Sequence, residues 1–346
     1  MTTIQSTTQL PGQELLVRSP TVDDTIPQDQ VQAERRKLLA SLRGKKLHIP
    51  NLKPMFDHWP SKTNPSVQPM RQDVQEWLKR SVDLWLFTWD DQFDDNGGSM
   101  WDDAGAAQIC REQTIAFIRY TLGIDKDQPT VQNQIILNFE PIGVAIKGYY
   151  TLEKRHMFLK EIVYYIEMVA REQHLRLSRS IVSLEEFWQY RLGTSAVTVC
   201  LALNELSWEG MDMPTTFYAD KDVQLLYRYT NTIISAVNDV LSVKKEIKQE
   251  AIDSLIPIMF YETGDIQTAV ERVISFIKDE IKRMDETAAA LLSKYSNAEA
   301  AVQEQVRLFI DGCKHHATGT VVWSLYTDRY GVRNADDGSG DIVMTL

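Results

Sequence analysis

The chain has 346 residues, of which 43% are hydrophobic, and a formal net charge of -11. That composition is enough to bury a core in one large domain or two small ones, which excludes a chain disordered over most of its length. The negative charge excludes nucleic acid as a partner, because no basic stripe with interleaved aromatics offsets it.

Residues 1 to about 30 mix Thr, Gln, Pro and Asp without a basic start or an apolar run, and 1–45 is expected to be a disordered leader. From Val67 onward apolar residues recur at helical spacing, and no segment alternates over a strand's length, so the expected fold is all-α. Helices are predicted over 69–94, 104–121, 130–147, 152–173, 184–206, 221–248, 251–261, 265–295, 297–316 and 318–328. They are punctuated by Asn96-Gly97-Gly98, Gly123, Gly210 with Pro214, Gly264 and Ser296-Asn297. None of these breaks separates differently composed halves, so 46–331 is expected to be one helical domain, and the polar tail 332–346 is expected to fray. No uncharged apolar stretch reaches the ~18 to 20 residues that a bilayer span requires, so no stable membrane insertion is expected. Cys110, Cys200 and Cys313 are odd in number and far apart; they mark neither a disulfide framework nor a zinc site and read as buried thiols of a reducing, cytoplasmic compartment.

Two clusters carry chemistry. Trp89-Asp90-Asp91-Gln92-Phe93-Asp94-Asp95 ends an aromatic helix that also holds Trp85 and Phe87. Asp90 and Asp94 stand one turn apart on one face with Asp91 beside them, so their carboxylates repel unless cations sit among them. An acidic run is usually a solvated surface, but here it follows an apolar stretch and sits at a helix C-terminus, where the dipole disfavours it unless cations bind. Oxygen ligands with no His or Cys nearby select a hard ion, Mg²⁺ or Mn²⁺. In the second cluster Asn238, Ser242 and Glu246 stand at i, i+4 and i+8, which lines an amide, a hydroxyl and a carboxylate along one helix face, with Lys245 nearly on it. An amphipathic helix with a polar face would also show such a row; two oxygen-ligand sets in one bundle are much harder to produce by accident.

Together these motifs, of DDxxD and NDxxSxxKE type, resemble the paired signature of class I terpene synthases, especially microbial and fungal sesquiterpene synthases. The resemblance spans roughly residues 48–331. It implies a helical-bundle enzyme that ionises a prenyl diphosphate, most simply farnesyl diphosphate, and cyclises the cation. It also implies three Mg²⁺ ions, with Mn²⁺ able to substitute, held by Asp90, Asp91 and Asp94 on one wall and by Asn238, Ser242 and Glu246 on the other. Arg191 falls at the family's diphosphate-sensor position, with Thr194 and Ser195 at its linker and effector positions, and Arg329-Tyr330 resembles its C-terminal Arg-Tyr pair. Arg191, Lys245 and Arg329 would then meet the leaving group, whose growing charge is what Arg forks and metal ions stabilise. Phe87, Trp188 and Trp323 are candidate aromatic walls for a cation, although any one of them could equally be core packing.

The sequence departs from the family ahead of Asp90, where a segment about as long as one helix is lacking between Asn64-Pro65 and Ser81-Val82-Asp83. Such a gap predicts a thinner wall with apolar positions left uncovered. A chain-elongating prenyltransferase would need a second aspartate-rich motif where Asn238-Asp239 stands, and a proton-initiated cyclase would need DxDD, which is absent. A geranylgeranyl diphosphate cyclase and a catalytically impaired diphosphate-binding relative remain as alternatives, as do a monomer and a homodimer.

Overall fold

The computed structural model describes residues 28–61, 82–94, 98–178, 181–208, 210–333 and 338–346. Its α-helices of five or more residues are α1 (Gln28–Leu42), α2 (Val82–Asp94), α3 (Ala104–Thr121), α4 (Glu140–Tyr149), α5 (Leu152–Ser178), α6 (Leu184–Thr194), α7 (Val197–Leu201), α8 (Lys221–Lys248), α9 (Leu255–Thr263), α10 (Ile266–Lys294) and α11 (Ala300–Tyr326). The expected all-α fold is found, with α8 at its centre.

Central placement follows from sequence. In α8 the side chains of Val223, Leu226, Ile233, Val237, Val240 and Leu241 are all 1% exposed or less, a stripe wide enough to face neighbours on more than one side. Asp220 caps its start by accepting from the Asp222 N–H at 2.9 Å. One apolar cluster gathers α8, α9, α10 and α11. A second gathers α2, α3, α4 and α5 around Trp85, Trp89 and Phe93. Those three aromatics stand at i, i+4 and i+8 of α2 and are 4%, 0% and 0% exposed. Trp89 Nε1 also donates to Thr114 Oγ1 at 3.0 Å. Burying this face of α2 turns the opposite one, with Phe87, Asp90 and Asp91, toward α8 and α11. The site therefore lies where the two clusters meet.

The structure corrects several expectations. The leader was expected to run to residue 45, but α1 forms at 28–42 because Leu38, Leu39 and Leu42 make a buried row. Arg35 of that helix is held by both oxygens of Asp253, with Nη1 at 2.7 Å. The tail was expected to fray, yet β2 (Ile342–Thr345) pairs antiparallel with β1 (Lys46–Ile49). Leu47, Ile49, Ile342 and Met344 are buried there, on strands of four residues each, too short for alternation to stand out. The helix expected over 130–147 is instead a turn at Gln134–Leu137 followed by α4. The stretch 184–206 breaks at Ser195-Ala196, whereas 297–316 and 318–328 form the single helix α11. Of 69–94, the part before 82 lies outside the described residues, as does most of the stretch where a segment is expected to be lacking. Leu84, Phe87, Val322 and Trp323, on α2 and α11, are between 36% and 46% exposed. No helix among the described residues is long and apolar enough to cross a membrane.

The tail is testable. Ile342→Ala should cost about 2–4 kcal/mol in urea unfolding, as deletion of a buried Ile side chain does; a cost below about 0.5 kcal/mol, the level of a surface change, would show that β2 is not part of the core.

Candidate active site

The cleft between the clusters is lined by Asp90, Asp91, Arg191, Asn238, Ser242 and Glu246, and also by Phe87, Thr194, Lys245, Arg329 and Tyr330. Eleven of the residues expected from sequence thus converge in one hollow. Asp94 closes α2, but its side chain lies outside the described residues.

Each wall is held by specific contacts. On α2, Asp90 Oδ1 accepts from the Tyr165 hydroxyl of α5 at 2.9 Å. Asp91 receives both arms of Arg329, Nη2 at 2.6 Å and Nη1 at 3.2 Å, a bidentate pair that ties α2 to the chain following α11. The Arg329 guanidinium also lies 5.0 Å from the centre of the Phe87 ring, which stacks on Trp323 at 5.4 Å. On α8, Ser242 Oγ donates to Glu246 Oε1 and lies 2.7 Å from the Asn238 carbonyl. Asn238 Nδ2 donates to the Tyr330 hydroxyl at 2.7 Å, so the last residue of the Arg-Tyr pair rests on the first residue of the α8 motif.

Arg191 joins the walls' supports. From α6 its Nε and Nη2 donate to Asp239 Oδ1 at 3.1 and 2.7 Å, and Nη2 also reaches Asn238 Oδ1 at 3.0 Å. Asp239 Oδ2 accepts from the Leu255 N–H at 3.0 Å, which locks the start of α9 to the same carboxylate. Burial opposes the charge on Arg191, but the Asp239 and Glu172 carboxylates outweigh it and raise its pKa well above the ordinary value. Gly193, two residues on, admits this close fit, since a Cβ there would collide with Met168 of α5.

The donor set fits a hard divalent cation. Burial, and after it the neighbouring Asp239 carboxylate, push Glu246 up to about 7, the behaviour of a carboxyl short of counter-charge. Among the described residues no three His, Cys, Asp or Glu side chains form a ready-made metal group. The α8 donors are an amide, a hydroxyl and a carboxylate, an oxygen set that suits a hard divalent cation. Lys245 enters no ion pair among the described residues, which leaves its ammonium for an anion. Tyr330, pushed up to about 12 by burial, keeps its proton.

Three expected residues stand off the cleft lining, and of these Trp323 stacks on Phe87 at 5.4 Å and meets Tyr330 edge-on at 5.5 Å. Trp188, partly buried, packs on Phe276 of α10 at 5.5 Å and on Phe187 at 5.2 Å, against the core and not on the cleft. Ser195 turns its hydroxyl to Asn231 of α8 at 2.7 Å. Sequence reasoning also passed over lining residues: Trp101, Glu172, Arg176, Asp253 and Ser254. Arg176 stacks on Trp101 at 3.8 Å and donates to the Phe93 carbonyl at 3.0 Å; as single residues on unrelated elements, none of these had a spacing to reveal it. Asp239 and Ser254 act through neighbours, Ser254 Oγ donating to Glu246 Oε2 at 2.6 Å.

The family described as terpene synthase family 2, C-terminal metal binding, matches residues 83–283. The chain belongs to the terpene synthase family. It is 29% identical over 364 residues to the sesquiterpene cyclase hepA of Aspergillus oryzae, covering 92% of this chain and 98% of that protein. It is also 32% identical over 180 residues to sesquiterpene synthase 6 of Postia placenta, about half of each chain at 51%. Among solved structures it resembles the linalool/nerolidol synthase of Streptomyces clavuligerus, with a TM-score of 0.63 and 16% identity, over 77% of this chain and 98% of that one. Germacradien-4-ol synthase from Streptomyces citricolor matches with a TM-score of 0.62 and 15% identity, over 87% and 94% of the two chains. These neighbours share the all-α fold.

Because Ser254 holds the free oxygen of Glu246, Ser254→Ala should raise the Mg²⁺ concentration for half-maximal diphosphate release about tenfold, the scale on which supporting residues affect metal affinity. Titration of Mg²⁺ against diphosphate release measures this, and an unchanged midpoint would contradict the assignment.

Proposed function

We propose that this terpene synthase ionises farnesyl diphosphate with Mg²⁺ and cyclises the cation to a sesquiterpene, releasing diphosphate. The observation that carries the proposal is the single cleft in which α2 presents Asp90 and Asp91 to the Asn238, Ser242 and Glu246 face of α8. Asp90, Asp91 and Asp94 would hold ions on one wall, and Asn238, Ser242 and Glu246 a further one on the other. Bound there, Mg²⁺ supplies Lewis-acid stabilisation of the leaving diphosphate.

The chain's own groups act around that event. Arg191, Lys245 and Arg329 donate hydrogen bonds to the diphosphate oxygens, which accept more strongly as the carbon–oxygen bond breaks and both its electrons leave with oxygen. The Tyr330 hydroxyl accepts from Asn238 and retains its own proton for the same anion. Phe87 and Trp323, stacked with an interplanar angle of 22°, offer aromatic faces to the allylic cation. Thr194, as linker, and Ser195, as effector, stand one turn beyond Arg191 on α6 and would carry the sensor's response toward the carbon chain.

Support for a C15 substrate comes from relatives named as sesquiterpene cyclase and sesquiterpene synthase, and geranylgeranyl diphosphate is the substrate to test beside it. One observation favours a second reading, an impaired enzyme that binds diphosphate but closes its pocket poorly. Leu84, Val322 and Trp323 are exposed beside the cleft, and the alignment with the Aspergillus cyclase runs over 364 residues, more than the 346 of this chain, so that relative carries segments with no counterpart here. A cytoplasmic enzyme, monomeric or homodimeric, is part of the same proposal.

Incubation with farnesyl diphosphate and Mg²⁺ should give a cyclic sesquiterpene and free diphosphate, detected by vapour analysis and phosphate assay, and chelation should abolish both. Asn238→Ala and Asp90→Ala should each lower turnover at least about a hundredfold, as loss of a group that stabilises developing charge does, with helix content by circular dichroism unchanged. Diphosphate bound without turnover would favour the impaired relative; absence of both binding and turnover would defeat the proposal.

A further inference from the structure

The polar face of α8 continues past the metal motif. Asn231 and Ser235 stand eight and four residues before Asp239, so the three share one row of the helix. Asn231 is 2% exposed and Ser235 fully buried. A buried amide has to satisfy both its donor and its acceptor, and Asn231 satisfies both at the break between α6 and α7. Its Nδ2 donates to the Leu192 carbonyl at 2.6 Å, while its Oδ1 accepts from Ser195 Oγ at 2.7 Å and from Ser235 Oγ at 3.1 Å. Ser195 Oγ in turn accepts from the Val197 N–H at 3.3 Å. One side chain of α8 therefore holds the last turn of α6 and, through Ser195, the first residue of α7.

That break needs holding. Ala196 lies at φ 56°, in the left-handed region, which crowds the Cβ of any residue other than glycine. Such a conformation persists only where its surroundings over-determine it. The break also leaves carbonyls of the last turn of α6 without helical partners, at the end of the helix that carries partial negative charge. Asn231 stands seven residues before Asn238, roughly 10 Å along the axis, while Arg191 and Thr194, on either side of Leu192, line the cleft.

Resting on the function proposed above, we infer that Asn231 is a positioning residue that sets the angle at which the carbonyl end of α6 meets the carbocation. Two ties then hold α6 to α8. Asp239 fixes Arg191 where diphosphate leaves; Asn231 fixes Leu192 and Ser195, where the cation is steered. The first bears on ionisation and the second on which product forms.

The test is product composition and diphosphate release from farnesyl diphosphate with Mg²⁺, measured on the full chain. Asn231→Asp keeps the acceptor for both hydroxyls but sets an oxygen against the Leu192 carbonyl. Ser195→Ala removes the hydroxyl that reaches Asn231, and Ser195→Thr keeps one. Asn231→Asp and Ser195→Ala should each shift the ratio of minor to major products at least about fivefold, while KM for farnesyl diphosphate moves less than about twofold. Ser195→Thr should return the original ratio. An unmoved ratio in folded variants overturns the inference, as does a shift that Ser195→Thr fails to reverse; if Asn231→Asp does not fold, the Ser195 pair decides. A wild-type protein that releases no diphosphate contradicts the proposed function itself, whereas intact release with an unmoved ratio contradicts only this inference.

Discussion

A buried ion pair organises this molecule. Asp239 is 1% exposed and takes two donors from Arg191 and a third from the Leu255 backbone. Removing one partner from such a pair leaves an uncompensated charge in the interior, so α6, α8 and α9 are bound to one arrangement. Within it Asn238 and Ser242 share one face of α8, Glu246 is braced by Ser254, and the guanidinium of Arg191 is pinned at the cleft. Asp239, the residue next to Asn238, thus acts by fixing the groups around it.

The opposite wall is set by a different force. Trp85, Trp89 and Phe93 bury one stripe of α2 and leave Asp90 and Asp91 on the other, where Tyr165 and Arg329 orient them. Arg329 and Tyr330 then connect the walls, one bonded to Asp91 and the other to Asn238. These contacts show how two helices from separate apolar clusters hold oxygen donors toward a shared space. Cations there would relieve the repulsion among the carboxylates and, under the proposed function, offset the charge of a diphosphate.

Much of this was legible because helical spacing is a strong signal. The expected bounds 221–248 for α8 and 104–121 for α3 coincide with the helices found, and both motifs line one cleft. What escaped has physical reasons. The break at Ser195-Ala196 carries neither Gly nor Pro, and its side-chain contacts come from Asn231 of another helix, so no local signal marks it. The two strands are four residues long and owe their pairing to contacts across nearly the whole chain. A break expected between residues 316 and 318 did not form, since α11 runs through His315-His316 and Gly319 unbroken. Trp188 looked like a pocket aromatic by its place beside the α6 motif, but its ring points to α10, and only tertiary packing decides that.

The central claim is that α2 and α8 hold divalent ions on facing walls with diphosphate between them. Crystals grown with Mn²⁺ and inorganic diphosphate test it most directly, through the anomalous signal of the metal. The account predicts peaks within ligand distance of Asp90 and of the Asn238, Ser242 and Glu246 side chains, with diphosphate bridging them and touched by Arg191. Metal on one wall alone, or diphosphate bound outside the cleft, would contradict it.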